Sequence, residues 1–154
     1  MIKQMDFRLR AVRPALDAIN LWSTNAEELL IAICAHESLG CSYLIQVGGP
    51  ALGPYQMEPD THDDIWAKSL HDGTPLKETI LRYCLDGNPF AHQMCWDLQY
   101  ATMMARVFLL RIPEALPDAS DVTAMANYWK KYWNTPLGAG NVSDFINNYH
   151  SFVG

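Results

Sequence analysis

The sequence predicts a mainly α-helical protein of about seven helices with one small β-hairpin, folded as a single domain over residues 1–154. Three observations carry this expectation. Apolar residues recur at three- and four-residue steps through most of the chain. One stretch of β-type residues flanks a Gly/Pro turn. A chain of 154 residues with 49% hydrophobic and 18% charged residues suits one sizeable core.

Ile2, Met5, Leu9, Val12, Leu16 and Ile19 make the N-terminus amphipathic. Pro14 divides it into a short first piece and a helix over 14–22, with the proline in its first turn. Lys3, Arg8, Arg10 and Arg13 gather basic charge in residues 1–13. That segment is either the solvated face of a packed helix or a peripheral contact with an anionic envelope surface.

Ser23-Thr24-Asn25 followed by Glu27 and Glu28 is a capping-box signature, opening a helix over 25–40. Ala26, Leu29, Leu30, Ile33 and Cys34 share one face, and Glu37 continues that series one turn before Gly40. Its carboxylate therefore leaves the helix on the buried side. Desolvation and the carbonyl end of the helix both disfavour the anion, which favours a carboxylic acid protonated near neutral pH. The plainer alternative is a surface residue at a fraying helix end.

Tyr43–Val47 and Tyr55–Met57, joined by the turn at 48–54, are the expected hairpin. A helix entrance follows at Pro59-Asp60-Thr61, with the helix ending near Gly73, and a short one carries Leu76, Ile80, Tyr83 and Cys84. The longest apolar stripe runs from Ala91 to Arg111 before Pro113 and is the expected central core element. Asp118 or Ser120 caps the next helix, whose face is Val122, Met125, Ala126, Trp129 and Trp133. A Pro/Gly loop at 134–141 and a last helix over 143–152 complete the chain.

Eleven basic against seventeen acidic residues give a net charge of -6, which argues against a nucleic-acid partner or a large anionic-membrane surface. No apolar run approaches the roughly 20 residues of a membrane span, so no stable membrane insertion is expected, and the N-terminus lacks the apolar core of a secretory signal. Cys34, Cys41, Cys84 and Cys95 then read as reduced thiols. The order Cys34, His36, Cys41, His62 matches no common zinc spacing, so no metal or other cofactor is expected.

At His36-Glu37-Ser38 and at Ala51-Leu52-Gly53-Pro54-Tyr55-Gln56-Met57-Glu58-Pro59-Asp60-Thr61, the sequence resembles the soluble lytic transglycosylase and goose-type lysozyme-like family. A Glu-Ser pair there ends a helix, and Ala-x-Gly-x-x-Gln-x-x-Pro-x-Thr is matched residue for residue. Asn127–Gly138 is similar to the family's Tyr-Asn-x-Gly region in its phage endolysin form. The resemblance implies a lysozyme-like α+β fold that cleaves the MurNAc–GlcNAc β-1,4 bond of peptidoglycan glycan strands. It makes Glu37 the catalytic acid and then base, and Ser38, Tyr55, Gln56, Tyr128, Tyr132 and Asn134 the substrate-binding candidates. Tyr128 or Tyr132 would reach toward Glu37 or the substrate acetamido group.

Asp60, Asp63 and Asp64, together with Glu58, are the acids near in sequence that would supply a second carboxylate, and the three aspartates also suit a helix N-terminus. His36 and His62 are candidate neighbours of Glu37 or locally bonded histidines. Two other functions stay open: a non-catalytic wall-glycan-binding or virion structural module, and a chitinase-like hydrolase. The expected protein is a monomer, made in the cytoplasm and acting at the bacterial cell wall after release through a pore made by a separate protein.

Overall fold

Helix α3, Thr24–Glu37, is largely buried in this computed structural model, which describes residues 1–134 and 137–154. Leu29 through Ala35 are all buried, including Ile31 and Ala32, which lie off the expected apolar stripe. Seven consecutive apolar side chains leave no solvent face over these turns, as in a helix surrounded by others. α8, Val142–Val153, lies along α3, and the N-terminal helical run and α6, Leu98–Leu110, pack on its other sides. α6 also holds the central place expected for the longest stripe, packing against the N-terminal run, α3 and the helical segments of residues 59–95.

The N-terminus is one continuous helical run rather than two pieces: α1, Gln4–Phe7, a π-helical segment Arg8–Val12, and α2, Arg13–Ala18. Pro14 has no N–H to offer the carbonyl of Arg10. The helix widens by one residue ahead of it, and the N–H of Arg13 reaches back to the carbonyl of Arg8.

The basic residues of this run are not all solvated. Arg8 donates to Glu27 and Glu28, both at 2.8 Å, and Arg13 donates to Glu27 at 2.7 and 2.9 Å. The expected capping box is half made, because the cap falls on Ser23 and puts Ala26, not Glu27, three residues on. Ser23 accepts from the N–H of Ala26, while Glu27 turns toward Arg8, Arg13 and Trp22. Burial would raise the Glu27 carboxyl, but the hydrogen bonds from Arg13, Trp22 and Arg8 hold it down to about 2.

Between α3 and α4, Pro59–Lys68, the expected hairpin is reduced to two isolated antiparallel bridges, Ile45 with Leu52 and Leu52 with Met57. Leu52 pairs with both neighbours because the chain doubles back tightly through Gly53 and Gln56, both with left-handed backbone. Only glycine fits at 53, since a Cβ there would lie 2.5 Å from the carbonyl oxygen of Met94.

α5, Pro75–Tyr83, follows. The stripe expected over 91–111 divides into a 3-10 turn, Ala91–Cys95, and α6. Asp97 marks the division, its side chain capping the N–H of Tyr100 at 2.9 Å. α7, Val122–Tyr128, is capped by Asp121, not Asp118 or Ser120, and continues as a π-helical segment, Trp129–Asn134. Asp118 instead bonds the local N–H of Ser120. Thr135 and Pro136, in the expected loop and in the family-like segment, lie outside the described residues. The protein is mainly helical, and among the described residues no helix is long and apolar enough to cross a membrane.

Candidate functional site

A groove of about 390 Å³ opens where the end of α3 meets the bridged segment, and Glu37, Tyr43, Gln46, Gln56, Glu58, Phe108, Trp133 and Asn134 are among its lining residues. Glu37 stands there because it is the last residue of α3, and the helix before it is too apolar to turn toward water. Its carboxylate is half-buried, and Oε1 accepts a hydrogen bond from the indole N–H of Trp129 at 2.8 Å. Burial pushes the Glu37 carboxyl up to about 7, against the opposing pull of the Trp129 bond. The Tyr43 hydroxyl donates to the Glu37 backbone carbonyl at 2.7 Å, which pins the helix end.

Trp129 is itself clamped. It stacks on Phe145 of α8, with ring centroids 4.9 Å apart, and meets the edge of His36 at 4.5 Å. His36 bonds Asn148 at 2.9 Å, so it serves the indole rather than the carboxylate. A Cβ at position 140 would lie 2.6 Å from the far edge of Trp129, and the glycine there makes room for the ring.

Gln56 lines the groove with a left-handed backbone. Its Nε2 donates to the carbonyl of Gly53 at 2.9 Å, whereas its buried Oε1 has no partner among the described residues. An unpaired buried acceptor costs about 1 to 3 kcal/mol. Asn134 also lines the groove, with Oδ1 accepting from Lys130 Nζ at 2.8 Å.

The remaining substrate-binding candidates are placed otherwise. Ser38 is fully buried, its hydroxyl donating to the carbonyl of Pro54 at 2.8 Å and accepting from the N–H of Cys41, so it ties the helix end to the groove wall and offers a ligand no surface. Tyr55 is 1% exposed and shares a 2.7 Å hydrogen bond with Thr102, because the turn at Gly53 throws its ring inward against Phe7. Tyr128 donates to the carbonyl of Glu114 at 3.2 Å and packs on Tyr132, with centroids 4.8 Å apart. Neither tyrosine is the aromatic partner of Glu37. That place belongs to Trp129, whose apolar-face spacing in the sequence marked it as core.

Among the nearby acids, Asp64 is held by Lys68 and Arg111, each at 2.9 Å, and Asp63 bonds His62 at 2.8 Å. Asp60 sits in the first turn of α4. Glu58 is exposed and faces the groove. His62 is fully buried, and its Nε2 meets the Tyr100 hydroxyl at 2.6 Å, so it joins α4 to α6 rather than attending Glu37.

The groove thus presents one carboxylic acid with its midpoint near neutral pH and an indole donor that partly stabilises the anion. Such a set can give a proton to an oxygen leaving group and take one back. No family model, no curated protein and no solved structure matches the chain.

Proposed function

We propose that the protein cleaves the MurNAc–GlcNAc β-1,4 bond of peptidoglycan glycan strands, within a lysozyme-like fold, with Glu37 as acid and then base. The observation that carries this reading is the half-buried Glu37 carboxyl, held at about 7 in an open groove. A glycosidic oxygen is a poor leaving group until protonated, and an acid that keeps its proton at neutral pH supplies it. Gln56 lines the groove, and rotation of its carboxamide to expose the unpartnered Oε1 would offer an acceptor to a sugar hydroxyl or acetamido N–H.

The reaction we favour uses one carboxylate. Glu37 protonates the bridging oxygen as the bond to the anomeric carbon breaks. The resulting anion, held by Trp129, takes the proton of the MurNAc 6-hydroxyl as that oxygen attacks the same carbon, which restores the acid and leaves an anhydro sugar. In the hydrolytic variant water replaces the 6-hydroxyl. A second carboxylate roughly 6.5 to 9.5 Å away would then activate it with inversion, and Glu58 is the groove-facing acid available for that role.

Glu37→Gln is expected to lower lysis of purified cell walls by about 10²- to 10⁴-fold. Near-full lysis by that variant overturns the reading in both forms. Mass spectrometry of the released muropeptides separates them, an anhydro product marking the first and a reducing end carrying labelled water the second. In this reading the protein acts as an endolysin of the phage type, a monomer reaching the wall through a separate pore-forming protein.

A further inference from the structure

The turn that follows Glu37 brings two thiols together. Cys34 Sγ, on the last full turn of α3, lies 3.6 Å from Cys41 Sγ. Three consecutive residues between and at this contact, Leu39, Gly40 and Cys41, have left-handed backbone, with φ of 49, 63 and 62°. Two of them are not glycine, so the turn is held in a costly conformation by its surroundings. Ser38 organises it, accepting from the Cys41 N–H at 3.0 Å and lying 3.6 Å from Cys34 Sγ.

We propose that Cys34 and Cys41 form an oxidisable dithiol site, which a low-molecular-weight disulfide of the glutathione class converts to an intramolecular disulfide that latches the turn after Glu37. The sulfurs need to approach by about 1.5 Å to reach bonding distance. Roles follow from access. Cys34 is fully buried and Cys41 only partly so, which makes Cys41 the thiol that meets the oxidant. Contact with Cys34, outweighing burial and joined by Ser38, lowers the Cys41 thiol, whereas burial raises Cys34 well above the ordinary range.

In the first step the Cys41 thiolate attacks one sulfur of the oxidant, forming a mixed disulfide and releasing one thiolate. In the second, Cys34 loses its proton and attacks the Cys41 sulfur, displacing the other half of the oxidant, which leaves as a thiol. The two protein thiols lose two electrons, and the oxidant's disulfide gains them as two thiols. The bridge closes a short loop containing Glu37 and Ser38, and it restrains the unfolded chain.

The test uses the intact protein, treated with oxidised glutathione or with a reductant and then compared. The expected result is a peptide containing both Cys34 and Cys41 that has lost the mass of two hydrogens, with no glutathione retained. The thermal midpoint of the oxidised protein should rise by about 5 °C, as a short-loop disulfide gives in a domain of this size. Cys41→Ser should abolish both the mass change and the oxidant-dependent rise, and comparison of the two forms of the unaltered protein needs no variant to fold. Retention of glutathione on Cys41, free alkylation of both thiols after oxidation, or an oxidised form no more stable than the reduced one would each overturn the proposal. None of these readouts depends on glycan cleavage.

Discussion

The indole N–H of Trp129 donates to Oε1 of Glu37 at 2.8 Å, joining residues 92 positions apart at the end of α3 and the start of the π-helical segment after α7. The bond favours the anion, while burial of the same carboxyl favours the acid, and burial wins. The balance leaves the Glu37 carboxyl partly protonated near neutral pH, the condition that the proposed reaction requires.

Trp129→Phe keeps a ring against Phe145 and His36 but removes the donor. The Glu37 midpoint is expected to move upward from about 7, because the bond that stabilises the carboxylate is gone. Titration of the Glu37 side-chain carbon by NMR reads this directly. The folded protein should lose about 1 to 3 kcal/mol above neutral pH, where the anion is left without its donor.

Glu37 also makes stability pH-dependent. Its folded midpoint, about 7, lies above its ordinary value of 4.5, so the native state holds a proton that the unfolded chain has lost between those values. Stability is highest below about 4.5 on this account and falls as pH rises through 7, by up to about 3 kcal/mol. Glu37→Gln should remove that fall and make the protein more stable than its parent at pH 8 in denaturant titrations. Activity should fall as pH rises through about 7, where the folded protein loses the acid form.

Glu27 behaves in the opposite sense. Its folded midpoint of about 2 lies below its ordinary value, so its contribution is fully present above about 4.5 and is lost as pH falls toward 2. Glu27→Ala leaves Arg8 with Glu28 alone and removes the acceptor of Arg13 and Trp22, and a loss of about 1 to 3 kcal/mol is expected. Denaturant midpoints at neutral pH and at pH 3 test it, since the difference between parent and variant should shrink at the lower pH.

Two adjacent residues separate support from ligand contact. Tyr55→Phe removes a buried hydrogen bond to Thr102 and should cost about 1 kcal/mol of stability with little change in KM. Gln56→Ala removes both the unpartnered acceptor and the Nε2 bond to Gly53, two opposed effects, so stability should change by less than about 1 kcal/mol while KM for wall glycan increases by about 5- to 10-fold. Equal KM values for the two variants would remove Gln56 from the binding surface.

Much of this architecture is legible in local spacing. The stripe of Ala26, Leu29, Leu30, Ile33 and Cys34, the Ser23 cap, Pro59 at a helix entrance and the stripe around Leu98–Leu110 each express a preference that neighbours within four residues settle. Even the placement of Glu37 on the inward side of its helix follows from periodicity. The local readings that miss do so where a residue has a choice of partner. Glu27 fits a capping box, yet the cap falls on Ser23, four residues before it, and Glu27 pairs with two arginines of the N-terminal run. Asp97 divides a stripe that hydrophobic spacing alone carries straight through.

Which aromatic side chains face the groove is not a local property. Tyr55 and Gln56 are neighbours, yet a left-handed turn sends one ring into the core and one carboxamide to the groove wall. Tyr128, Trp129 and Tyr132 share one short segment, and only the docking of α8, with Phe145 behind the indole, selects Trp129 to meet Glu37. Periodicity assigns a side chain to the inside or the outside of its own helix. The partner it meets there depends on how separate helices cross, which the packing of the whole chain settles.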